Sequence, residues 1–300
     1  MFKHYIFYNP LAGGEEAVAR IEEFASRYEG ALLYDITKGG GYRGICEGLD
    51  PSDKVTVSGG DGTLNRFFNE MRGFDFPCDV YYYPSGTGND FMREMIDTHE
   101  GVLDGETLHA VRINDYLKNL PVATVTTADG GVVESRFING VGYGIDGYCC
   151  VVGDGLREAG EKHINYTGIA IKGLLFHYKP CDVKVTVDGV EHSFKKAWLA
   201  PVMKGKYYGG GMIPTPEQKR DSGELSVLIF HGSGKLKTLM IFPSIFKGEH
   251  VKKKKHVTVL SGKEILVEYS DPRPAQIDGE TVKDVKSVFA SSRVANTNLN

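Results

Sequence analysis

Short apolar runs alternate with amphipathic stretches along the first third of the chain. Residues 5–8 and 80–83 are apolar runs of strand length. Between them, Leu64, Phe68 and Met71 recur at the i, i+4, i+7 spacing of one helix face. Four strand–helix alternations of this kind predict a doubly wound α/β layer. In such a layer the ligand crevice lies at the carboxyl ends of the strands.

Beyond about residue 110 the pattern changes to period-two alternation. Apolar residues alternate from 183 to 187 and lead into Asp188-Gly189, a signal for a type I′ hairpin turn. A second hairpin is predicted at 122–133, and one helical stretch at 163–178 interrupts the strands. Further predicted strands cover residues 225–230, 257–260 and 265–269. This part of the chain therefore predicts a β-sandwich.

The bulk composition sets the number of domains and the class of partner. Three hundred residues with 41% hydrophobic side chains suit two domains, which we place at 1–115 and 116–300. The last residues of the chain could pack back on the first domain. Thirty-five basic and 39 acidic residues give a net charge of −4, so no nucleic-acid partner is expected.

The compartment follows from the cysteines and the hydropathy. Five cysteines without a C-x-x-C pair indicate reduced thiols rather than a disulfide framework or a zinc site. The first residues begin a strand and lack the architecture of a signal peptide. No uncharged apolar run approaches the roughly 20 residues of a membrane-spanning helix. We therefore expect a cytoplasmic protein.

Residues 58–65, Ser-Gly-Gly-Asp-Gly-Thr-Leu-Asn, join a predicted strand to a predicted helix. The glycines allow close approach of a ligand to the backbone, and Thr63 is a candidate N-cap of an anion-binding helix terminus. Asp61 would repel phosphates unless a divalent cation lies between, as Mg²⁺ does in many phosphate sites. The segment predicts a cradle for a Mg-nucleotide. The alternative is a tight turn with a surface aspartate.

Two further glycine-rich corners follow predicted strands. One comprises Asn9, Pro10, Gly13 and Gly14, and the other runs from Gly86 through Thr87, Gly88 and Asn89 to Asp90. Because two of the three corners carry an aspartate beside glycine and threonine, both could address one metal–phosphate group.

Other nucleotide-binding signatures are missing or out of place. Residues 39–44 fit G-x-G-x-x-G but follow the second strand, open no clear amphipathic helix and lack the expected acidic residue. They indicate a loop near the nucleotide or a plain loop. Walker A and protein-kinase signatures do not occur in the sequence.

Two carboxylates stand close together near the C-terminus, at Asp278 and Glu280. If the segment is extended, both side chains point to one face and could bind metal and accept a proton from an alcohol. The alternative is a polar hairpin turn with a solvated glutamate.

Four consecutive lysines, Lys252 to Lys255, form the one run of like charge. They predict either a solvated edge or a site that docks on an anionic membrane. In the second case the nearby Phe242, Ile245 and Phe246 could contact lipid.

Taken together, the motifs resemble the diacylglycerol kinase catalytic domain family, and within it the soluble bacterial diacylglycerol/sphingosine-type lipid kinases. The resemblance covers nearly the whole chain in order. The matching segments are Asn9-Pro10 with Gly13, GGDGTLN at 59–65, GTGNDF at 86–91, Asn139 to Gly142 with Asp146, Gly209 to Met212, Gly248 to His250, and Ile277 to Glu280.

The resemblance implies a fold and a set of residue roles. The fold is α/β plus β: a three-layer nucleotide domain followed by a β-sandwich that binds the lipid substrate, with the active site between them. Glu280 corresponds to the general base, with Asp278 beside it, and Asp61 takes part in catalysis. Asp61 and Asp90 belong to the metal–phosphate network. The residues implied to contact ATP are Asn9, Pro10, Gly13, Thr37, Gly59, Gly60, Asp61, Gly62, Thr63, Leu64, Asn65, Gly86, Thr87, Gly88 and Asn89.

The sequence departs from the family pattern at one place. An Asp-Gly that helps bind a structural Mg²⁺ is replaced by Asp221-Ser222-Gly223, so Asp221 is the remaining candidate for that ion.

The expected function is ATP- and Mg²⁺-dependent phosphorylation of a lipid hydroxyl at the inner face of the cytoplasmic membrane. Diacylglycerol or a related lipid alcohol is the implied acceptor, and a homodimer is plausible from family relatives. Two alternatives stay open: a soluble small-molecule kinase resembling NAD kinases, and a nucleotide-binding regulator without activity. The intact Asp61, Asp90 and Glu280 argue against the regulator.

Overall fold

The structure is a computed structural model that describes residues 2–13, 15–86, 88–98, 110–161 and 164–292. The chain divides into two compact units, Met1–Leu120 (unit 1) and Pro121–Asn300 (unit 2). The boundary expected from the sequence falls after residue 115.

Unit 1 contains one sheet and the helices that connect its strands. The strands are β1 (His4–Tyr8), β2 (Ala31–Asp35), β3 (Lys54–Gly59), β4 (Asp79–Pro84) and β5 (Val111–Arg112). The helices are α1 (Glu15–Ser26), α2 (Arg43–Cys46), α3 (Asp61–Glu70), α4 (Asp90–Thr98) and α5 (Asn114–Lys118). The strand order is β2-β1-β3-β4-β5. The first four strands are parallel and β5 is antiparallel to β4.

Helices cover both faces of this sheet. On one face, Ile21 of α1 packs in a cluster with Ile6 of β1. On the other face, the ring of Phe7 lies 5.1 Å from that of Tyr42, which lies 4.9 Å from Phe67 of α3. Neighbouring residues of a strand point to opposite faces, so Ile6 and Phe7 separate the two helix layers. The predicted doubly wound, three-layer α/β domain is confirmed.

Unit 2 is a β-sandwich with helical insertions. Its strands are β6 (Val122–Thr127), β7 (Val132–Arg136), β8 (Gly140–Tyr143), β9 (Cys181–Val187), β10 (Val190–Ala197), β11 (Val202–Met203), β12 (Leu225–Phe230), β13 (Val257–Gly262), β14 (Glu264–Ile277) and β15 (Glu280–Ser291). Its helices are α6 (Ile145–Glu158), α7 (Tyr166–Lys172) and α8 (Lys235–Ile241), with a π-helical turn at Gly173–His177 and 3₁₀ segments at Phe242–Lys247 and Glu249–Lys252. The pairing is antiparallel throughout, and the predicted sandwich is confirmed.

The long strand β14 belongs to both layers of the sandwich. It pairs with β9 over Ile265 to Tyr269 and with β8 over Ala275 to Ile277, and its register with β15 shifts between Glu268 and Ala275. Such an irregularity bends a strand and lets it pass from one layer to the other. The alternating inward residues of these strands form one buried core.

Helix α6 was not predicted, because its sequence contains three glycines and a Val-Val pair that disfavour helices. The glycines serve packing. A Cβ on Gly147 would lie 2.1 Å from the carbonyl oxygen of Pro274, and one on Gly153 would lie 2.8 Å from the ring of Tyr166. Close tertiary packing therefore overrides local propensity. The single helix predicted at 163–178 appears as α7 and the π-helical turn; residues 162 and 163 lie outside the described part.

Asp146, in the first turn of α6, has a carboxyl group with a raised pKa. Its Oδ1 accepts the amide of Gly147 at 2.9 Å, and the Tyr208 hydroxyl donates to its Oδ2 at 3.4 Å. Loss of solvent around the carboxylate raises its pKa from 3.8 to about 6, and these hydrogen bonds offset only part of the increase. The folded state therefore holds this proton to a higher pH than the unfolded state does.

This shift predicts a pH-dependent stability that Asp146→Asn removes. Because the folded pKa lies above the unfolded one, the folded state binds more protons between about pH 4 and 6. The free energy of unfolding contributed by Asp146 therefore falls through that range and stays low above it. At pH 4 the free energy of unfolding of Asp146→Asn should nearly equal that of the parent. At pH 7 it should exceed the parental value by up to about 3 kcal/mol. Urea unfolding at both pH values measures the difference. The control Asp271→Asn, at an exposed residue, should show equal effects at both, and a constant effect of Asp146→Asn would contradict the assignment.

Candidate active site

The central corner joins β3 to α3 through Gly60. This residue is the N-cap, with an extended backbone, and α3 begins at Asp61. The expectation that Thr63 is the N-cap is wrong, because Thr63 lies within the first helical turn. Its side chain instead packs over Gly59, where an added Cβ would lie 2.4 Å from it. Since a glycine N-cap has no side chain to satisfy the first-turn amides, this helix terminus can receive an anion.

The corner after β4 contacts the central corner backbone to backbone. The amides of Ser85 and Gly86 donate to the carbonyl oxygen of Gly59, at 2.9 and 3.2 Å. A Cβ on Gly86 would lie 2.4 Å from Cα of Gly60. Glycine at position 86 is therefore required for this approach.

The corner after β1 joins the same assembly. The amide of Asn9 donates to Ser58 at 3.1 Å, and its side-chain Nδ2 donates to Thr63 Oγ1 at 3.1 Å. Gly13 has a φ of +86°, and a Cβ there would lie 2.1 Å from the carbonyl oxygen of Ser85. Pro10 lies in the turn between Asn9 and Gly13. The three glycine-rich corners predicted from the sequence are thus one contiguous surface.

The carboxylate of Asp61 binds the corner that follows β4. Its two oxygens accept the amides of Asp90 and Phe91, at 2.8 and 3.0 Å, and so cap α4. The side chain of Asp90 is buried, with 3% of its surface exposed. Asp61 therefore links α3 to α4, a structural role that the sequence did not suggest. Its metal and catalytic roles, and the metal role of Asp90, stay predictions.

The described residues fit a cation carried by phosphates better than one held in a protein cage. Among them, no group of three or more His, Cys, Asp or Glu side chains is arranged to hold a metal ion. Mg²⁺ in phosphoryl-transfer sites usually has one or two carboxylates and takes its other ligands from phosphates and water. The carboxylate of Asp61 at this corner agrees with that arrangement.

The remaining residues predicted to bind nucleotide differ in exposure. Leu64 and Asn65 are buried, and the amide of Leu64 donates to the carbonyl oxygen of Gly60 at 3.1 Å. Asn89 has a φ of +49° and donates from its side chain to the carbonyl oxygen of Gly86 at 2.7 Å. Gly88 is partly exposed in the same loop, and Thr87 lies outside the described residues.

Thr37 lies beside a small pocket at the end of β2. Its amide and hydroxyl both donate to Asp35, at 2.9 and 2.6 Å, and these hydrogen bonds hold the pKa of Asp35 below its usual value. Residues 39–41 have positive φ, and Gly39 and Gly41 form part of the pocket wall. The pocket is lined by Phe7, Tyr34, Asp35, Ile36, Gly39, Gly41, Tyr42, Ile45, Arg66 and Glu70.

In unit 2, Asp278 and Gly279 form the turn of the β14–β15 hairpin. Their φ values are +46° and +100°, and Ile277 pairs with Glu280 across the turn. The segment is therefore not extended, and the expectation that both carboxylates share a strand face is wrong. The hairpin-turn alternative is the observed structure.

The carboxylate of Asp278 binds backbone amides. It accepts those of Ile138 at 2.5 Å, Asn139 at 2.9 Å and Gly140 at 3.0 Å. Three amide hydrogen bonds fix the hairpin against the start of β8. Asp278 is thus placed to position the hairpin, and its direct catalytic role stays a prediction.

Glu280 is exposed at the start of β15 and lies near one face of α6. Burial raises the pKa of the Cys150 thiol to about 12, and the charges of Asp146, Asp154 and Glu280 add to that increase. The next residue, Thr281, donates its hydroxyl to Asp154 at 2.6 Å. The sequence reasoning missed Asp154. The i, i+4, i+8 spacing of Asp146, Cys150 and Asp154 would have indicated this face had α6 been recognised.

Asp221 lies exposed in a turn of unit 2, and the described contacts bring it to no other predicted site residue. The neighbouring Arg220 is buried. Its guanidinium donates to the side-chain oxygen of Asn139 at 3.0 Å and to the carbonyl oxygen of Ile138. The structural-metal role of Asp221 stays a prediction.

Comparisons with known proteins match a domain family in each half of the chain. Residues 3–125 match the family described as diacylglycerol kinase catalytic domain, and residues 139–295 match the YegS C-terminal NAD kinase beta sandwich-like domain. A diacylglycerol kinase of Mycobacterium tuberculosis (strain CDC 1551 / Oshkosh) is 28% identical over 263 residues, covering 81% of this chain and 78% of that protein.

Two solved structures from Bacillus anthracis str. Sterne share the fold. The alignment with the first covers 96% of this chain and 91% of the chain in that structure, with a TM-score of 0.64 at 19% identity. The other, a diacylglycerol kinase, covers 96% and 93%, with a TM-score of 0.58 at 18% identity. With one domain matched in each unit, the chain belongs to the diacylglycerol kinase family, in which the catalytic domain is followed by a YegS-type β-sandwich domain.

Proposed function

We propose that this chain transfers the γ-phosphoryl group of ATP to the hydroxyl of diacylglycerol or a related lipid alcohol. Membership of the family makes it a kinase phosphotransferase acting on a lipid alcohol. The use of ATP and the identity of the acceptor go beyond that. The observation that supports ATP as the donor is the contiguous surface of three glycine corners beside the uncapped N-terminus of α3. The acceptor is proposed from the similarity to a protein named diacylglycerol kinase.

Unit 1 would bind the phosphates of the donor. The amides of the first turn of α3 point out of the helix end, and the helix dipole favours negative charge there. The glycines keep side-chain atoms away, so phosphate oxygens can reach the backbone. A loose phosphoryl-transfer transition state needs mainly positioning and charge stabilisation, and this surface supplies both.

Mg²⁺, carried on the phosphates near Asp61, would neutralise their charge during transfer. Asp61 would also keep the two corners in register, because its carboxylate already spans from α3 to the first amides of α4. One residue would thus serve both structure and charge. The structural contribution and the charge contribution of Asp61 are separable by experiment.

Unit 2 would supply the proton acceptor. Glu280 would take the hydroxyl proton as the lipid oxygen bonds to the γ-phosphorus, while the bond to the β-phosphate oxygen breaks and ADP leaves. Asp278 would act as a positioning residue through its three amide hydrogen bonds. An exposed carboxylate such as Glu280 becomes a better base when the acceptor displaces water from it.

Transfer of labelled phosphate from ATP to a panel of acceptors tests the proposal. The panel holds long-chain and short-chain diacylglycerol, other lipid alcohols and NAD. Labelled lipid with no labelled NADP supports the lipid kinase. Labelled NADP alone would establish a soluble small-molecule kinase, and nucleotide binding without any transfer would establish a regulator.

Gly62→Ala tests whether a ligand fills the space before α3. A Cβ on Gly62 meets no protein atom within 4 Å, and in a helix it points back toward the N-terminus. We expect ATP affinity to fall at least about tenfold, or roughly 1.4 kcal/mol, without loss of stability. Calorimetric titration with ATP measures the change. The control Gly155→Ala, also in a helix with no atom within 4 Å, should leave affinity unchanged. Parental affinity in Gly62→Ala would mean that phosphate does not approach this backbone.

Asp61→Asn separates capping from charge. An amide has one acceptor oxygen, so one of the two amide contacts of Asp61 is lost, at about 1 kcal/mol of stability. Turnover should fall at least about tenfold, roughly 1.4 kcal/mol in the barrier, and most strongly at limiting Mg²⁺. The control Asp188→Asn disturbs an aspartate that likewise accepts two backbone amides, from Lys263 and Glu264. Because both of these amides reach its Oδ1, it should lose no more stability than Asp61→Asn, and it should keep its turnover. Parental turnover of Asp61→Asn at limiting Mg²⁺ would remove the metal role.

Glu280→Gln keeps the shape of the side chain but cannot accept a proton. Loss of a general base typically lowers turnover by about 10²–10⁴-fold. ATP affinity should stay unchanged, because the donor site lies in unit 1. Glu191→Gln, at an exposed strand glutamate near the equivalent Asp188-Gly189 turn, is the control and should keep parental turnover. Near-parental turnover of Glu280→Gln would refute the assignment, and loss of ATP binding would make the residue structural.

A further inference from the structure

Two segments of unit 2, residues 164–180 and 231–256, fold into one helical layer. It contains α7, the π-helical turn, α8 and the two 3₁₀ segments. Lys235 donates to the carbonyl oxygen of Leu175 at 2.7 Å and so ties α8 to the π-helical turn. Leu174, Ile241, Phe242 and Ile245 are buried together beneath the layer. Phe242 and Ile245 therefore cannot contact lipid, and that sequence expectation is wrong for both.

The outer side of this layer is unusually apolar. Leu236 and Met240 of α8 are 76% and 71% exposed, and they lie one helical turn apart on the same face. Phe176 in the π-helical turn is 71% exposed. Ile171 and Phe246 are also exposed. Large apolar side chains exposed on adjoining elements indicate a surface for interaction rather than chance exposure.

The same layer is strongly basic. The two segments hold nine of the 35 basic residues of the chain and one of its 39 acidic residues. The lysines are Lys172, Lys179, Lys235, Lys237, Lys247, Lys252, Lys253, Lys254 and Lys255. The acidic residue is Glu249, and its Oε1 lies 3.6 Å from Nζ of Lys252. We name this surface, with its exposed apolar residues and lysines, the docking patch.

We propose that the docking patch binds the surface of an anionic lipid bilayer. Leu236, Met240 and Phe176 would enter the boundary between head groups and acyl chains. The lysines of the two segments, which are all exposed, would contact anionic head groups. The inference rests on the proposed function to the extent that a lipid acceptor resides in a bilayer. It extends that proposal by naming which surface of the enzyme meets the membrane.

Charge complementarity favours a bilayer over a second copy of the chain. A two-fold contact through the docking patch would place its lysines against the same lysines of the other copy. With nine lysines and one glutamate on each side, like charges would predominate across that contact. A negatively charged lipid surface instead matches both the lysines and the apolar side chains. No described helix is long and apolar enough to cross a membrane, so contact through these helices would be at the surface.

Cosedimentation with vesicles tests the docking patch in the full chain without nucleotide. We expect the parent to bind vesicles of phosphatidylcholine with phosphatidylglycerol, and to bind phosphatidylcholine alone much more weakly. The double variant Leu236→Ser/Met240→Ser should lower the partition coefficient at least about tenfold. Val132→Ser/Val190→Ser removes two apolar side chains that are 64% and 59% exposed on hairpins, and it should bind as the parent does.

The lysines are tested in the same assay. Lys237→Gln/Lys247→Gln should weaken binding by about fivefold for each lysine at low salt and should flatten the salt dependence. The control Lys3→Gln/Lys263→Gln removes two exposed lysines outside the docking patch and should change neither property. Parental vesicle binding by either patch variant would overturn the proposal.

Two further outcomes separate this inference from others. If the parent is a dimer by light scattering and Leu236→Ser/Met240→Ser is a monomer with unchanged vesicle binding, the docking patch is a self-association surface and the proposal is wrong. Kinase assays with vesicles and with short-chain soluble diacylglycerol distinguish the two proposals. Vesicle binding without phosphorylation of any lipid refutes the proposed function and leaves docking supported. Phosphorylation of soluble acceptor by a parent that binds no vesicles refutes docking alone.

Discussion

Contact between glycine backbones is the constraint on which unit 1 depends. A methyl group on Gly13 would lie 2.1 Å from the carbonyl oxygen of Ser85, and one on Gly86 would lie 2.4 Å from Cα of Gly60. Overpacking of this severity would force the corners apart, at a cost of about 1–3 kcal/mol. The side chains of Asn9 and Asp61 then connect the corners across this contact. Residues that the sequence predicts to contact a ligand, such as Asn9 and Asp61, therefore also hold together the surface that a ligand would use.

Unit 2 uses carboxylates in a similar way. Asp278 accepts three amides from residues 138–140, and Arg220 binds the carbonyl and side-chain oxygens of the same short segment. The segment is therefore held by a negative and a positive group through its own peptide units. In the β9–β10 turn, the carboxylate of Asp188 likewise accepts backbone amides, from Lys263 and Glu264. Glu280 differs from both aspartates because it is exposed, which leaves its carboxylate accessible to an acceptor.

The strands, the three corners and the sandwich could be predicted because each depends on local pattern. Apolar alternation and glycine-rich strand ends are visible over a few residues, as at 54–65. The position of α6 could not be predicted, because its glycines fit the ring of Tyr166 in the next helix and the backbone of Pro274, which lies far away in sequence. The turn at Asp278-Gly279 has a local signal, because Asp-Gly is the same hairpin dipeptide as at 188–189. The three amide partners of the Asp278 carboxylate lie about 140 residues earlier and have no local signal.

Placement of charge links the fold of unit 2 to its orientation at a surface. Outside the two segments of the docking patch, the chain has 26 basic and 38 acidic residues, a net charge of −12. An anionic surface attracts the patch and repels the remainder, so the same field that promotes binding also selects one orientation. Screening limits this steering to about 8–10 Å at physiological salt, which is close to the scale of the lysine side chains themselves. Final binding must then depend on Leu236, Met240 and Phe176, because apolar contact is little affected by salt. The lysines would thus govern how the protein meets a membrane, and the apolar residues how long it stays.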